Sequence, residues 1–125
     1  MEKEVIQKLN KTFEEAAYEQ EGIGYWLASK LKILLGYTDW RNFLNTVEKA
    51  KLSCETIGQQ VIDHFVDVSK MAKLGSGSER PVEDIMLTRF ACYLIAQNGD
   101  TKKVQIAFAQ SYFAIQTRKQ EMLYS

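Results

Sequence analysis

Residues 64–86 read HFVDVSKMAKLGSGSERPVEDIM, and their reading decides whether the chain is all helix or carries a sheet. Val66, Val68 and Met71 give residues 64–74 a partial two-residue alternation, the pattern of a half-buried strand. GSGSERP at 75–81 is the most loop-like stretch of the chain and contains its only proline. Residues 82–86 then return as a second strand, so 64–87 reads as a β-hairpin with a long, mobile tip.

Working outward, residues 23–28 (IGYWLA) are apolar and aromatic enough for one short buried strand. Ahead of it, Val5, Ile6, Leu9, Phe13, Ala16 and Ala17 recur at helical spacing among Lys and Glu. This predicts an amphipathic helix over residues 3 to about 20, packing on the domain and broken by Gly22 and Gly24. After the strand, Ser29 is placed to cap a short helix over 30–35 that Gly36 stops. Thr38 or Asp39 caps a longer one, whose apolar face is Trp40, Phe43, Leu44, Val47, Ala50 and Cys54, with Gly58 beyond its end. Two helices joined by the short GYTD turn have the outline of a helix-turn-helix pair.

Downstream of the hairpin, Thr88 caps a helix with Leu87, Phe90, Ala91, Leu94 and Ile95 on its apolar face, ended by Asn98-Gly99. Asp100 or Thr101 caps the last helix, 102 to about 123, expected to bury Val104, Ala107, Phe108, Ser111, Ala114, Ile115 and Met122. The fold class that results is α+β. About five helices enclose a small, largely antiparallel sheet from 23–28, 64–71 and 82–87, in one domain made of an N-terminal helix (1–20) and a main body (21–125).

With 125 residues, 46% of them apolar and 26% charged, the chain matches an ordinary globular domain rather than a disordered or fibrous one. Sixteen Lys and Arg balance sixteen Asp and Glu, so any grip on nucleic acid must come from a local basic patch. The distribution is uneven: residues 1–25 hold three basic and six acidic side chains, 26–60 five and three. Cys54 and Cys92 sit in helical apolar patterns outside any CxxC pair and read as reduced, buried thiols. The charged N-terminus MEKEVIQKL is no signal peptide, and no apolar run approaches the ~18 residues of a membrane span. A soluble, cytoplasmic protein without a membrane partner is the expectation.

Templates for chemistry are missing. His64 has no neighbouring Ser, Cys or second His with which to form a nucleophilic or metal site, and reads as structural. Glu83 and Asp84 are adjacent on a strand, so they point to opposite faces and read as solvated charge. GSGSERP lacks the Lys-Ser/Thr ending of a phosphate loop. The expectation is a domain that is not an enzyme, with no cofactor, no metal and no small-molecule substrate.

Three stretches carry a resemblance: WLASKLKILLGYTDWRNFLNTVEKAK (26–51), DHFVDVSKMAKLGSGSERPVEDIMLTRFACYLIAQNGD (63–100) and QSYFAIQTRKQE (110–121). In order and with little gap, they resemble the N-terminal domain of the DNA-damage-inducible protein D family. More remotely, a Trp, a small residue, a short helix, LGY and a basic helix are similar to the BRO N-terminal domain of viral and phage antirepressors. The resemblance implies a BRO-N-like body at 21–125, with the C-terminal region of the longer family members absent. It implies DNA binding and a place in the bacterial SOS response, as a modulator of the recombinase RecA and its DNA filament.

Two readings of the binding surface stay open. In the first, Lys30, Lys32, Arg41, Lys49, Lys51, Lys70, Lys73 and Arg80 neutralise phosphates of single- or double-stranded DNA while Trp40 and Asn42 reach bases. In the second, the domain contacts the RecA filament or a second copy of itself without touching DNA. The glutamine-rich last helix, Tyr112, Tyr124 and the GSGSERP tip would then form the surface.

Overall fold

The computed structural model describes the backbone of residues 3–124 and the side chains of residues 3–115. Six helices and four strands follow in the order α1 (Lys3–Ala16), β1 (Tyr18–Gln20), β2 (Ile23–Leu27), α2 (Ala28–Leu34), α3 (Trp40–Thr56), α4 (Val61–His64), β3 (Phe65–Lys73), β4 (Glu79–Thr88), α5 (Arg89–Gln97) and α6 (Val104–Tyr124). The class is α+β, with one antiparallel sheet in the order β1-β2-β4-β3.

The hairpin at 64–87 forms, but its tip is shorter than the composition implies. Phe65 to Lys73 pairs continuously with Leu87 to Glu79, so Glu79, Arg80 and Pro81 belong to β4. Only Leu74 to Ser78 turns, closed by Leu74 N–H to the Ser78 carbonyl at 2.7 Å and Gly77 N–H to the Leu74 carbonyl at 3.0 Å. Pro81 stands opposite Met71, where β4 has no partner on its other side, because β2 pairs only with residues 86–88.

The N-terminal helix ends four residues earlier than expected. Tyr18–Gln20 forms an extra strand, linked to β2 by a two-residue turn at Glu21 (φ 53°) and Gly22 (φ 81°). Two successive positive φ angles make the turn twist with the strands it joins. Of α1 only Phe13 is fully buried, against Phe108, Tyr112 and Phe113, while Val5 and Ile6 stay exposed. The Trp26 indole N–H donates to the Phe13 carbonyl at 3.1 Å and tethers the helix to β2.

One face of the sheet supplies Trp26, Phe65, Ile85 and Leu87 to the core. Helices add Leu31 and Leu35 from α2 and its end, Phe43, Val47, Ala50 and Cys54 from α3, and Ala91, Cys92 and Ile95 from α5. Both thiols are thus buried and reduced. Thr88 caps α5 as expected, its hydroxyl oxygen accepting the Ala91 N–H at 3.2 Å.

The face assigned to the last helix needs correction. Ile106, Ala109, Tyr112 and Phe113 face inward, while Val104, Ser111 and Ile115 are exposed; Met122 lies outside the described side chains. Apolar residues ring α6 almost evenly, so periodicity alone selects no face. Ile106 is fixed by Gly99, where a Cβ would stand 2.9 Å from its Cγ2.

Candidate nucleic-acid interface

The outward face of α3 starts from a firm cap. Asp39 accepts the backbone N–H of Arg41 at 2.7 Å and of Asn42 at 3.3 Å, so the first turn is anchored. Phe43, Val47, Ala50 and Cys54 drive the opposite face into the core. Outside stand Arg41, Asn42, Asn45 and Lys49, all exposed, with Glu48, Leu52 and Glu55 exposed further along the helix. At ~100° per residue, Asn42, Asn45 and Lys49 fall within about 60° of one another and form a stripe. Asn45 was not among the candidates, although its spacing from Asn42 and Lys49 was the signal for it. Trp40 begins the helix 37% exposed, its ring 5.7 Å from Phe43, so it is half anchor and half surface.

The turn before α3 is built by Gly36 (φ 80°) and Tyr37. Gly36 N–H reaches the Ile33 carbonyl and Tyr37 N–H the Lys32 carbonyl, both at 3.0 Å, which closes α2. The Tyr37 ring lies 5.4 Å from Phe43, its hydroxyl is 3.1 Å from Thr46 Oγ1, and the Lys103 ammonium sits 5.2 Å above it. Lys103, distant in sequence, therefore adds a cation beside this turn. α3 makes its main contacts with α5 and α4 and α2 with β2, β4 and α1, so the helix-turn-helix likeness is one of outline.

The ten candidate residues divide. Among the described residues, no ion pair engages Lys30, Lys32, Arg41, Lys49, Lys73 or Arg80. Lys30 is exposed and Lys32 half-buried on α2; Lys73 and Arg80 flank the hairpin tip. Lys51 is turned to Glu48 at 3.4 Å.

Lys70 is committed elsewhere, and this overturns the reading of Asp84 as solvated. Asp84 is 1% exposed. Its Oδ1 accepts the N–H of Ser29 at 3.0 Å and of Ile85 at 2.8 Å; its Oδ2 accepts the Ser29 hydroxyl at 2.5 Å and faces the Lys70 ammonium at 3.0 Å. Burial alone favours the neutral acid, but the Ser29 hydroxyl, the Ile85 amide, Lys70 and the Ser29 amide outweigh it and hold the carboxyl below the usual aspartate range. Ser29 is not the cap either: α2 starts at Ala28 with Leu27 in the cap position, and the carboxylate that meets its first turn comes from β4. Lys70 Nζ also donates to Ser29 Oγ at 3.2 Å, so the amine meets this hydroxyl as a donor and not as a base.

His64 is held between Thr88 and Phe90. Its Nδ1 is 2.7 Å from Thr88 Oγ1 and its ring meets Phe90 edge-on at 5.0 Å. Thr88 Oγ1 already accepts the Ala91 N–H, so its own proton is free to go to Nδ1, which requires a neutral imidazole. Burial pushes the His64 pKa down, against the opposing charge of Asp63. No group of three metal-ligating side chains occurs among the described residues, and none of their helices is long and apolar enough to cross a membrane.

Comparison with known proteins finds a family model and a relative that match most of the chain. The model of the BRO family, N-terminal domain, matches residues 16–114, from the end of α1 into α6. The chain is also 48% identical over 101 residues to DNA damage-inducible protein D of Escherichia coli (strain K12). That alignment covers 81% of this chain and 37% of the relative, so the chain spans little more than a third of the curated protein it matches. No solved structure matches.

Proposed function

This chain belongs to the BRO family, as an N-terminal domain of it, and from that premise we propose that it is a non-catalytic domain that binds DNA through the outward face of α3. The observation that carries the reading is the stripe Asn42, Asn45 and Lys49 with Arg41 beside it, exposed on a capped helix and held in no ion pair. Arginine and lysine neutralise phosphates, and asparagine amides match the donor and acceptor edge of bases. Lys30, Lys32 and Lys103 supply further charge around the α2–α3 turn, and Lys73 and Arg80 extend it on the hairpin. Lys51 and Lys70 are left out of the interface because their own carboxylates hold them.

The relative's name, DNA damage-inducible protein D, and its bacterial source support placing this binding in a bacterial response to DNA damage, and the cytoplasm is the compartment we propose for it. Either bare DNA or the RecA–DNA filament meets the same requirement for phosphates, and neutral net charge predicts a modest, salt-sensitive affinity.

Fluorescence anisotropy with labelled single-stranded and duplex DNA, across a salt series and with or without RecA, tests the proposal. Arg41→Ala with Lys49→Ala is expected to weaken binding at least tenfold and to flatten the log–log salt slope by roughly 0.9 per lost duplex phosphate contact. Lys51→Ala changes affinity less than twofold. Equal losses from the two variants, or no binding at low salt, refute the assignment to α3.

A further inference from the structure

A groove of about 720 Å³ runs between the last turns of α3 and residues 58–62 leading into α4. Leu52 and Ile62 line it at 64% and 76% exposure, and Ile57, 59% exposed, precedes the lining residue Gly58. Single exposed aliphatics are ordinary, but two lining one groove with a third beside them form a surface that water covers poorly. We propose that this groove is the docking site for a basic amphipathic helix of a protein partner. It lies on a different part of α3 from the DNA stripe and stands or falls independently of it.

Charge decides the partner. Glu48, Leu52 and Glu55 follow one another at helical spacing, an aliphatic between two carboxylates, centred about 90° round the helix from the Asn42–Lys49 stripe. Lys51, the one cation lining the groove, is already matched to Glu48. The end of α3 carries no basic residue in its last turn, so Glu55 sits where the helix macrodipole is itself negative. Asp63 adds to the same field: burial raises the Cys54 thiol pKa first, and the charges of Asp63 and Glu55 raise it further. Such an arrangement costs the free helix stability and is relieved by cations brought from outside. A Lys/Arg-flanked helix places aliphatics against Leu52 and Ile62 and its charges against Glu55, which lines the groove and is held in no ion pair among the described residues. Nothing crowds the rim at Gly58, where a Cβ would meet no atom within 4 Å. A nucleic acid would bring phosphates to carboxylates and is repelled.

A synthetic 14-residue helix with Leu on one face and Lys on its flanks, and the same peptide with Glu for each Lys, are titrated into isotope-labelled protein and followed by amide shifts and calorimetry. The Lys peptide is expected to bind one to one, to shift the signals of residues 48–62, and to bind at least tenfold tighter than the Glu peptide. Ile62→Asp, at a site exposed enough to leave the fold intact, lowers affinity at least tenfold, and Leu52→Ser does the same. Glu48→Lys with Glu55→Lys reverses the preference towards the Glu peptide. Shifts spread over other surfaces, no preference between peptides, or unchanged binding by Ile62→Asp overturns the proposal. So does competition by duplex DNA, or a dimer in sedimentation that Ile62→Asp abolishes, since the occupant is then a nucleic acid or a second copy.

Discussion

Replacing Asp84 tests how the hairpin is held. In Asp84→Asn, the amide oxygen still accepts the N–H groups of Ser29 and Ile85, now 3.0 and 2.8 Å from Oδ1. The amide nitrogen, however, faces the Ser29 hydroxyl and the Lys70 ammonium, both donors to Oδ2. Serine can rotate its proton away; lysine cannot. One charge-assisted hydrogen bond is lost, and the variant should be less stable by about 1.5–3 kcal/mol. Asp84→Ala also strips the carboxylate from the first turn of α2 and leaves the buried N–H of Ile85 without an acceptor, for a loss of about 3–5 kcal/mol. Lys70→Met costs less, about 1 kcal/mol, because its side chain is 43% exposed and three other donors still serve Asp84. Urea unfolding of wild type, Asp84→Asn, Lys70→Met and the double variant closes a cycle, and the coupling should be about 1 kcal/mol. A loss under about 1 kcal/mol for Asp84→Ala refutes the argument that the carboxylate bridges hairpin and helix.

The folded pKa of Asp84 lies below that of the unfolded chain, so its contribution is complete above about pH 4 and is lost as pH falls through the folded value. His64 acts in a higher window. Its folded pKa is depressed below about 6.5, so the unfolded chain binds the extra proton first and stability falls as pH drops from about 6.5 towards the folded value. Urea midpoints at pH 7.5 and 5.0 should show the decline, and His64→Asn should reduce it; an unchanged slope removes His64 as its source. Gly99→Ala should destabilise by about 1–3 kcal/mol, because its Cβ meets Ile106 Cγ2 at 2.9 Å and Cδ1 at 3.1 Å. Ile106→Val in the same chain should restore part of the loss in a thermal melt, and no restoration shows that the contact is not the cause.

Much of the fold was legible because local chemistry and long-range packing agree. The cap at Asp39, the stop at Gly36 and the buried series Phe43, Val47, Ala50 and Cys54 each announce themselves within one element. Tyr18–Gln20 was hidden because YEQ is polar and continues a helical pattern, and only its pairing with Ile23–Tyr25 makes it a strand. Asp84 was misread because its partners Ser29 and Lys70 lie 55 and 14 positions away, and nothing in Glu83-Asp84 shows which carboxylate faces inward. The basic candidates were visible as residue types. Which cations are spent on carboxylates, as Lys51 and Lys70 are, depends on contacts a linear pattern does not contain.

The two cysteines have a use beyond filling space. Each sulfur is sealed, one in α3 and one in α5, and burial pushes both thiols away from the reactive thiolate. Alkylation then waits for a wall to yield, and the site modified first names the wall. The chain thus carries a pair of silent clocks that record where breathing begins.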